Sequence, residues 1–273
     1  MTKIKLNGAA PSRRNLMTVA AAGAALAVAA PMVQAQSAPK TFVLVHGGWH
    51  GGWCWRRVTD ILERKGHKAF APTLTGLGER SHLLNKDIST ATHVADVVNL
   101  VKWERLKDFM LVGHSLGGFV VNDVAEEISS LISSIVFLDA FLPDVGDSAL
   151  KTASQASRDA IAKAKADGIL GTKPQTAEQF MVADPKDREW VNSLCTLHPI
   201  QTLIDETKGN GGREKIAKKT FIRAKGWNHA GFEANYQRVK TSMPTWKAYE
   251  VPCGHDVMVD MPDRLVEILL EVA

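Results

Sequence analysis

Leu111-Val112-Gly113-His114-Ser115-Leu116-Gly117-Gly118, LVGHSLGG, stands where an apolar run stops and a helical pattern begins. A serine with glycine two positions away on both sides has a specific physical use. The chain bends so sharply that the serine takes a strained backbone conformation, and side chains at 113 and 117 would collide. The bend exposes the serine Oγ and points the start of the next helix at negative charge that develops beside it. Ser115 is therefore a candidate nucleophile, and the Leu116 N–H a candidate oxyanion donor. The bland alternative is a plain Gly-rich turn; a strand before and a helix after are what separate the two.

Both flanks have that character. Phe109–Val112 is a short buried-strand run, and Phe119–Ile128 has helical spacing. Upstream, Thr41–Val45 (TFVLV) is a continuous apolar run that ends at His46-Gly47-Gly48. Trp55–Lys65 follows with helical spacing at Trp55, Val58, Ile61 and Leu62, and Gly66 closes it. Lys68–Ala71 is a second strand candidate, and Thr92–Trp103 puts Val94, Val97, Val98 and Val101 on one helical face. Ile132–Leu138 (ISSIVFL) is the next strand. Such alternation predicts an α/β fold, a mostly parallel sheet with helices on both faces. The rhythm breaks from Leu142 to about Lys218, a polar, helix-prone stretch punctuated by glycines, which reads as an inserted helical cap. It resumes with Thr220–Arg223, Phe232–Lys240, Trp246–Val251 and Pro262–Val272. The expected organisation is thus a core of 36–141 and 219–273 interrupted by a cap of 142–218.

The chain has 273 residues, 45% hydrophobic and 23% charged, a mix that suits a globular domain with a sizeable core. Residues 1–35 read as a leader: Ser12-Arg13-Arg14-Asn15-Leu16-Met17 is a twin-arginine pattern, an Ala-rich apolar stretch follows, and Val33-Gln34-Ala35 is a small-residue cleavage signal. The apolar stretch is shorter than the ~20 residues of a membrane span, so export with cleavage after Ala35 is expected rather than a retained anchor. The formal charge of +4 belongs to this leader, which carries Lys3, Lys5, Arg13 and Arg14 and no acid; 29 basic and 29 acidic residues remain without it. That balance gives no support for nucleic acid or an anionic membrane as partner. Cys54, Cys195 and Cys253 are an odd set from which spacing picks no disulfide. No Cys-x-x-Cys or His-x-x-x-His cluster suggests a metal, and no cofactor is called for.

A serine hydroxyl needs a base. In the loop after the last strand, Pro252-Cys253-Gly254-His255-Asp256 supplies His255, whose ordinary pKa near ~6.5 suits proton transfer at neutral pH. His46 reads as a brace for its loop, His67 and His82 as surface or loop residues, His93 as a helix residue, and His198 as cap packing or pocket lining. Beside Leu116, Gly48 is the second candidate oxyanion donor, because glycine lets a substrate carbonyl approach the backbone. The Gly76-x-Gly78 segment lacks the longer glycine pattern and lysine of a phosphate loop and reads as a turn.

LVHGGWHGGWCW (Leu44–Trp55), LVGHSLGG and VFLDAFLPD (Val136–Asp144) together resemble the α/β-hydrolase group of plant methylesterases and hydroxynitrile lyases with their bacterial esterase relatives. TLTGLGERSHLL (Thr73–Leu84) is similar to the bacterial branch. The resemblance spans about 41–273, is weakest in the cap, and implies a Ser-His-Asp hydrolase with Gly48 and Leu116 as oxyanion donors. In the plant proteins the acid follows the strand after the cap, which here falls near Trp227 or Asn228. Asp139, at the end of the preceding strand, is expected to take that role, with Glu233, Asp144 and Asp147 as the other carboxylates to weigh. The lyases of this group carry a lysine after the histidine and a threonine in the oxyanion loop; Asp256 and Gly47 stand there instead. Ester hydrolysis by acyl transfer is the leading expectation. Amide, lactone or thioester hydrolysis, or a non-catalytic small-molecule binder on the same scaffold, are the alternatives. Trp49, Trp53, Phe141, Leu142, Phe180 and Met181 are the expected pocket residues, suited to small hydrophobic or aromatic esters.

Overall fold

A computed structural model describes residues 38–273; the leader and its expected cleavage point lie outside the described residues. In chain order the elements are β1 (Thr41–Val45), α1 (Arg56–Arg64), β2 (Lys68–Phe70), α2 (Thr90–Trp103), β3 (Phe109–His114), α3 (Gly117–Ile128) and β4 (Ile132–Leu138). Then come α4 (Ala149–Thr152), α5 (Gln155–Ala166), β5 (Gly171–Thr172), α6 (Pro185–Leu194), β6 (His198–Pro199) and α7 (Ile200–Ile204). The chain closes with β7 (Lys218–Ala224), α8 (Ala230–Ser242), β8 (Trp246–Val251), α9 (Val257–Asp260) and α10 (Pro262–Val272).

Six strands form one parallel sheet in the order β2-β1-β3-β4-β7-β8. The side-chain alternation shows why its central strands read as unbroken apolar runs. Phe42 and Leu44 of β1, Met110 and Val112 of β3, and Val136 and Leu138 of β4 join one core with Val58, Ile61 and Leu62 of α1 and the apolar face of α10. The residues between them, Val43, Val45, Leu111, Ile135 and Phe137, join the opposite core with α2, α3 and α8. Both faces are covered, so neither tolerates a polar stripe. The edge strands β2 and β8 carry the half-exposed residues instead.

Local signals set the ends. Ser89 caps α2 by accepting from the Thr92 N–H while Thr92 Oγ1 accepts from the Ser89 N–H, so that helix begins earlier than hydrophobic spacing alone indicates. Gly66 takes φ +83° after α1, the left-handed stop that a side chain would resist. Between β4 and β7 the chain is helical, with one antiparallel β5–β6 pairing that periodicity had not indicated because each strand is only two residues long. All three cysteines are free, and burial pushes Cys195 and Cys253 up to about 12, away from thiolate chemistry. Among the described residues no helix is long and apolar enough to cross a membrane.

Candidate active site

The carboxyl ends of β1, β3, β4 and β8 gather the candidate residues. Ser115 follows β3 with φ +54° and precedes α3, the strained elbow its glycines predict. A Cβ on Gly113 would lie 2.6 Å from Val121 Cγ2, and one on Gly117 only 2.7 Å from the His46 carbonyl oxygen. The elbow is anchored to the exit of β4: the Ser115 N–H donates to Leu138 O (3.3 Å), and Ser115 O accepts from the Phe141 N–H (3.2 Å). Gly48, in the loop after β1, sits against the elbow, where an added Cβ would meet Leu116 Cδ1 at 2.6 Å. Among the described residues neither the Gly48 nor the Leu116 N–H is taken by an acceptor. Both amides remain available to a ligand oxygen.

His255 lies in the loop between β8 and α9 and is buried. Its N–H donates to Phe180 O (2.9 Å), and its ring Nδ1 donates to Asp139 Oδ2 at 2.7 Å. Asp139 follows β4 with φ +40°. Its second oxygen accepts from Arg223 Nη1 (2.6 Å) and from the Ala224 N–H (3.1 Å), both on β7. The carboxylate is therefore held in one orientation by three donors. The other carboxylates are engaged elsewhere: Glu233 with Arg223 and Lys225, Asp144 with Arg238, and Asp147 with the Asp144 N–H. Ser115 and His255 line one cavity of about 430 Å³. They are not hydrogen-bonded to each other, a looseness ordinary before a substrate tightens such a site.

The cavity divides the expected pocket residues. Trp49, Phe141 and Phe180 line it. Trp53 does not: it lies in the 3-10 turn Gly52–Trp55, stacked on His50 (5.3 Å, 22°) and edge-on to Trp190 in the layer beneath. Leu142 is also outside, packed into the core shared with α2 and α3. Met181 takes φ +61° and is 55% exposed, because its backbone, not its side chain, lies against Gly254. Hydrophobicity cannot tell a wall from a core or from an apolar surface residue: Trp53 and Leu142 pack in the layers behind the cavity, and Met181 lies on the surface.

Sequence reasoning missed Trp227, His229 and Phe232, which complete the wall from the loop after β7 and the start of α8. Trp227, near which the family resemblance had put the acid, lies 4.0 Å from the His255 ring and has its carbonyl held by Arg223 Nη2 (2.6 Å). The signal was an arginine ending the apolar run Thr-Phe-Ile-Arg: a buried guanidinium requires an anion. Burial, then the neighbouring His255, lowers the His229 pKa and favours its neutral ring; Nδ1 accepts from the Phe232 N–H. His198 is buried under the Trp49 loop, where Nδ1 accepts from the Trp49 N–H (3.3 Å). His67 is buried as well, accepting from the Lys40 N–H, whereas His82 lies on an exposed turn. Among the described residues no cluster could hold a metal ion.

A parallel sheet that presents a serine on a strained elbow, with a carboxylate-held imidazole beside it, is the architecture of the α/β-hydrolases. The chain belongs to the alpha/beta hydrolase family, whose pattern matches residues 42–268. It is similar to a carbendazim hydrolyzing esterase from Nocardioides sp. (strain SG-4G), 39% identical over 239 residues that cover 84% of this chain and 97% of that one. It also resembles Methylesterase 3 of Arabidopsis thaliana, 27% identical over 85% of this chain and 95% of the relative. Among solved structures, an extracellular alpha/beta-hydrolase from a Paenibacillus species superimposes with a TM-score of 0.73 at 22% identity, covering 86% and 99% of the two chains, which bears on the fold. Family and relatives place the chain among the carboxylic ester hydrolases.

Proposed function

We propose that the protein is a serine carboxylesterase that hydrolyses small hydrophobic or aromatic esters through an acyl-enzyme. The observation that carries this reading is the placement of His255, with Nδ1 on Asp139 at 2.7 Å and its ring on the wall of the cavity that Ser115 shares. Asp139 holds the tautomer that leaves Nε2 unprotonated and able to act as base. Ser115 Oγ attacks the ester carbonyl as His255 takes its proton, and the carbonyl oxygen gains negative charge between the Gly48 and Leu116 amides. Each donor contributes about 3–4 kcal/mol of barrier lowering. The tetrahedral intermediate collapses, the alcohol leaves with the proton from His255, and water repeats the sequence to release the acid.

The substrate class rests on the walls. Trp49, Phe141, Phe180, Trp227 and Phe232 offer flat apolar faces, and among the described residues no lysine or arginine lines the cavity to favour a phosphoester. The esterase names of the relatives support the same reading. Turnover of p-nitrophenyl butyrate, with loss of activity and a mass increase on Ser115 after a serine-directed phosphonate, is the expected result. A wild-type protein with neither turnover nor adduct would instead be a small-molecule binder on this fold. Matched amide, lactone and thioester substrates rank the acyl groups. Export through the twin-arginine leader belongs to the same proposal, and a periplasmic or secreted form that begins at Gln36 is its test.

A further inference from the structure

Below the cavity lies a second histidine–carboxylate pair that the mechanism does not use. Gly48 stands between two peptide units, and a histidine holds the carbonyl of each. His46 Nδ1 donates to Gly47 O (2.8 Å), which in a trans peptide turns the Gly48 N–H the opposite way. His46 Nε2 accepts from the Leu74 N–H (3.0 Å), so this ring carries one proton and is neutral. His50 Nδ1 faces Gly48 O at 2.7 Å, and its Nε2 faces Asp256 Oδ2 at 3.2 Å. Both partners are acceptors. A neutral imidazole has one N–H to give, so His50 meets both only as an imidazolium, paired with the Asp256 carboxylate.

Both side chains are sealed from solvent. Trp53 stacks over the His50 ring. Asp256 immediately follows His255, and its carbonyl accepts from the amides of Val259 and Asp260, the last two residues of α9. His114, on β3, donates from Nε2 to His255 O (3.1 Å). The other histidines around His50 are His46, His114 and His198, all held neutral by burial, so Asp256 supplies the opposing charge among them.

We propose that His50 and Asp256 are positioning residues: their buried ion pair ties the loop that presents the Gly48 amide to the loop that presents His255, fixing the oxyanion donor and the base in one frame. The inference rests on the roles given to Gly48 and His255 above. It explains why a carboxylate occurs directly after the base without serving it. Asp139 orients His255, whereas Asp256 orients the loop on the other side of the reacting carbon.

The test combines two readouts on the whole protein. Histidine ring ¹⁵N NMR at pH 6.5 is expected to show both His50 nitrogens protonated in the wild type and one in Asp256→Asn. Kinetics on p-nitrophenyl butyrate, normalised to serines titrated with phosphonate, are expected to show kcat reduced about 10- to 100-fold in His50→Gln and in Asp256→Asn, as for small misplacements of reacting groups, with KM within about twofold. The double variant is expected to be no worse than the poorer single one, because the two residues act as a unit. A singly protonated wild-type His50, or variants whose kcat per titrated serine stays within twofold, would overturn the proposal; a merely structural role lowers stability and leaves that kcat intact. Asp256→Asn keeps the shape of the side chain and serves if His50→Gln does not fold. Wild-type protein without turnover or adduct removes the hydrolase reading, and the NMR result then decides the ion pair independently.

Discussion

Two histidine–carboxylate pairs meet in the loop after β8, and the way their rings are bonded separates them. His255 gives Nδ1 to Asp139 and, among the described residues, has no hydrogen-bond partner at Nε2. His50 has both nitrogens committed, one to Gly48 O and one to Asp256. A ring with one uncommitted nitrogen can pass a proton; a ring with none can hold position. Burial is the same for both, so exposure would not have told them apart.

The largest effect expected of that difference is at the serine. Ser115→Ala should lower kcat by about 10⁶ while leaving ligand binding nearly unchanged, since the triad acts as a unit. Asp139→Asn should lower kcat by about 10⁴ with the fold retained, because the wrong tautomer is held. A loss below about tenfold in a folded variant would remove Asp139 as the orienting acid. Asp139→Ala should also destabilise the fold by roughly 1–3 kcal/mol, measured by urea unfolding, because Arg223 would lose its buried carboxylate and keep only the partly exposed Glu233 at 3.4 Å.

Trp227→Ala should raise KM for aryl esters by about three- to tenfold, the scale of one lost aromatic contact, with less effect on short alkyl esters. Trp53→Phe should leave both KM values within twofold, which checks the wall against the layer beneath. The buried pair predicts a pH signature in stability. Burial opposes the charge of Asp256, but the His50 imidazolium bonded to it outweighs that and brings its pKa from the usual 3.8 to about 2. Burial likewise opposes the charge of His50, and Asp256 and the Gly48 carbonyl outweigh it and raise its pKa above 6.5. The carboxylate contribution is present above 3.8 and lost as pH falls toward about 2; the imidazolium contribution is present below 6.5 and lost as pH rises through the raised value. The stability difference between wild type and Asp256→Asn should therefore be widest between pH 3.8 and 6.5, a profile that urea midpoints across pH would test. Met181→Ala, on an exposed side chain, should change stability by less than about 0.5 kcal/mol and leave KM unaltered.

Much of this was legible before any coordinates. Strand runs such as Thr41–Val45 and Ile132–Leu138 have the same bounds in the fold as in the sequence, because burial on both faces writes itself as continuous apolar residues. Asp139 could be nominated from its place at a strand end, but Glu233, Asp144 and Asp147 stayed open beside it. The pocket was half legible. Trp49, Phe141 and Phe180 line it, while Trp53, Leu142 and Met181 belong to layers or surfaces that a hydrophobicity pattern cannot separate.

The sequence by itself determined the elbow and the parallel sheet around it, because glycine sterics at 113 and 117 and the alternation of buried residues act over a few neighbouring positions. Only the tertiary structure decided which carboxylate meets His255, since the partners are 116 residues apart, and which aromatic rings enclose Ser115. Contacts of that span depend on where the sheet brings strand ends together. No local pattern in the chain carries that distance.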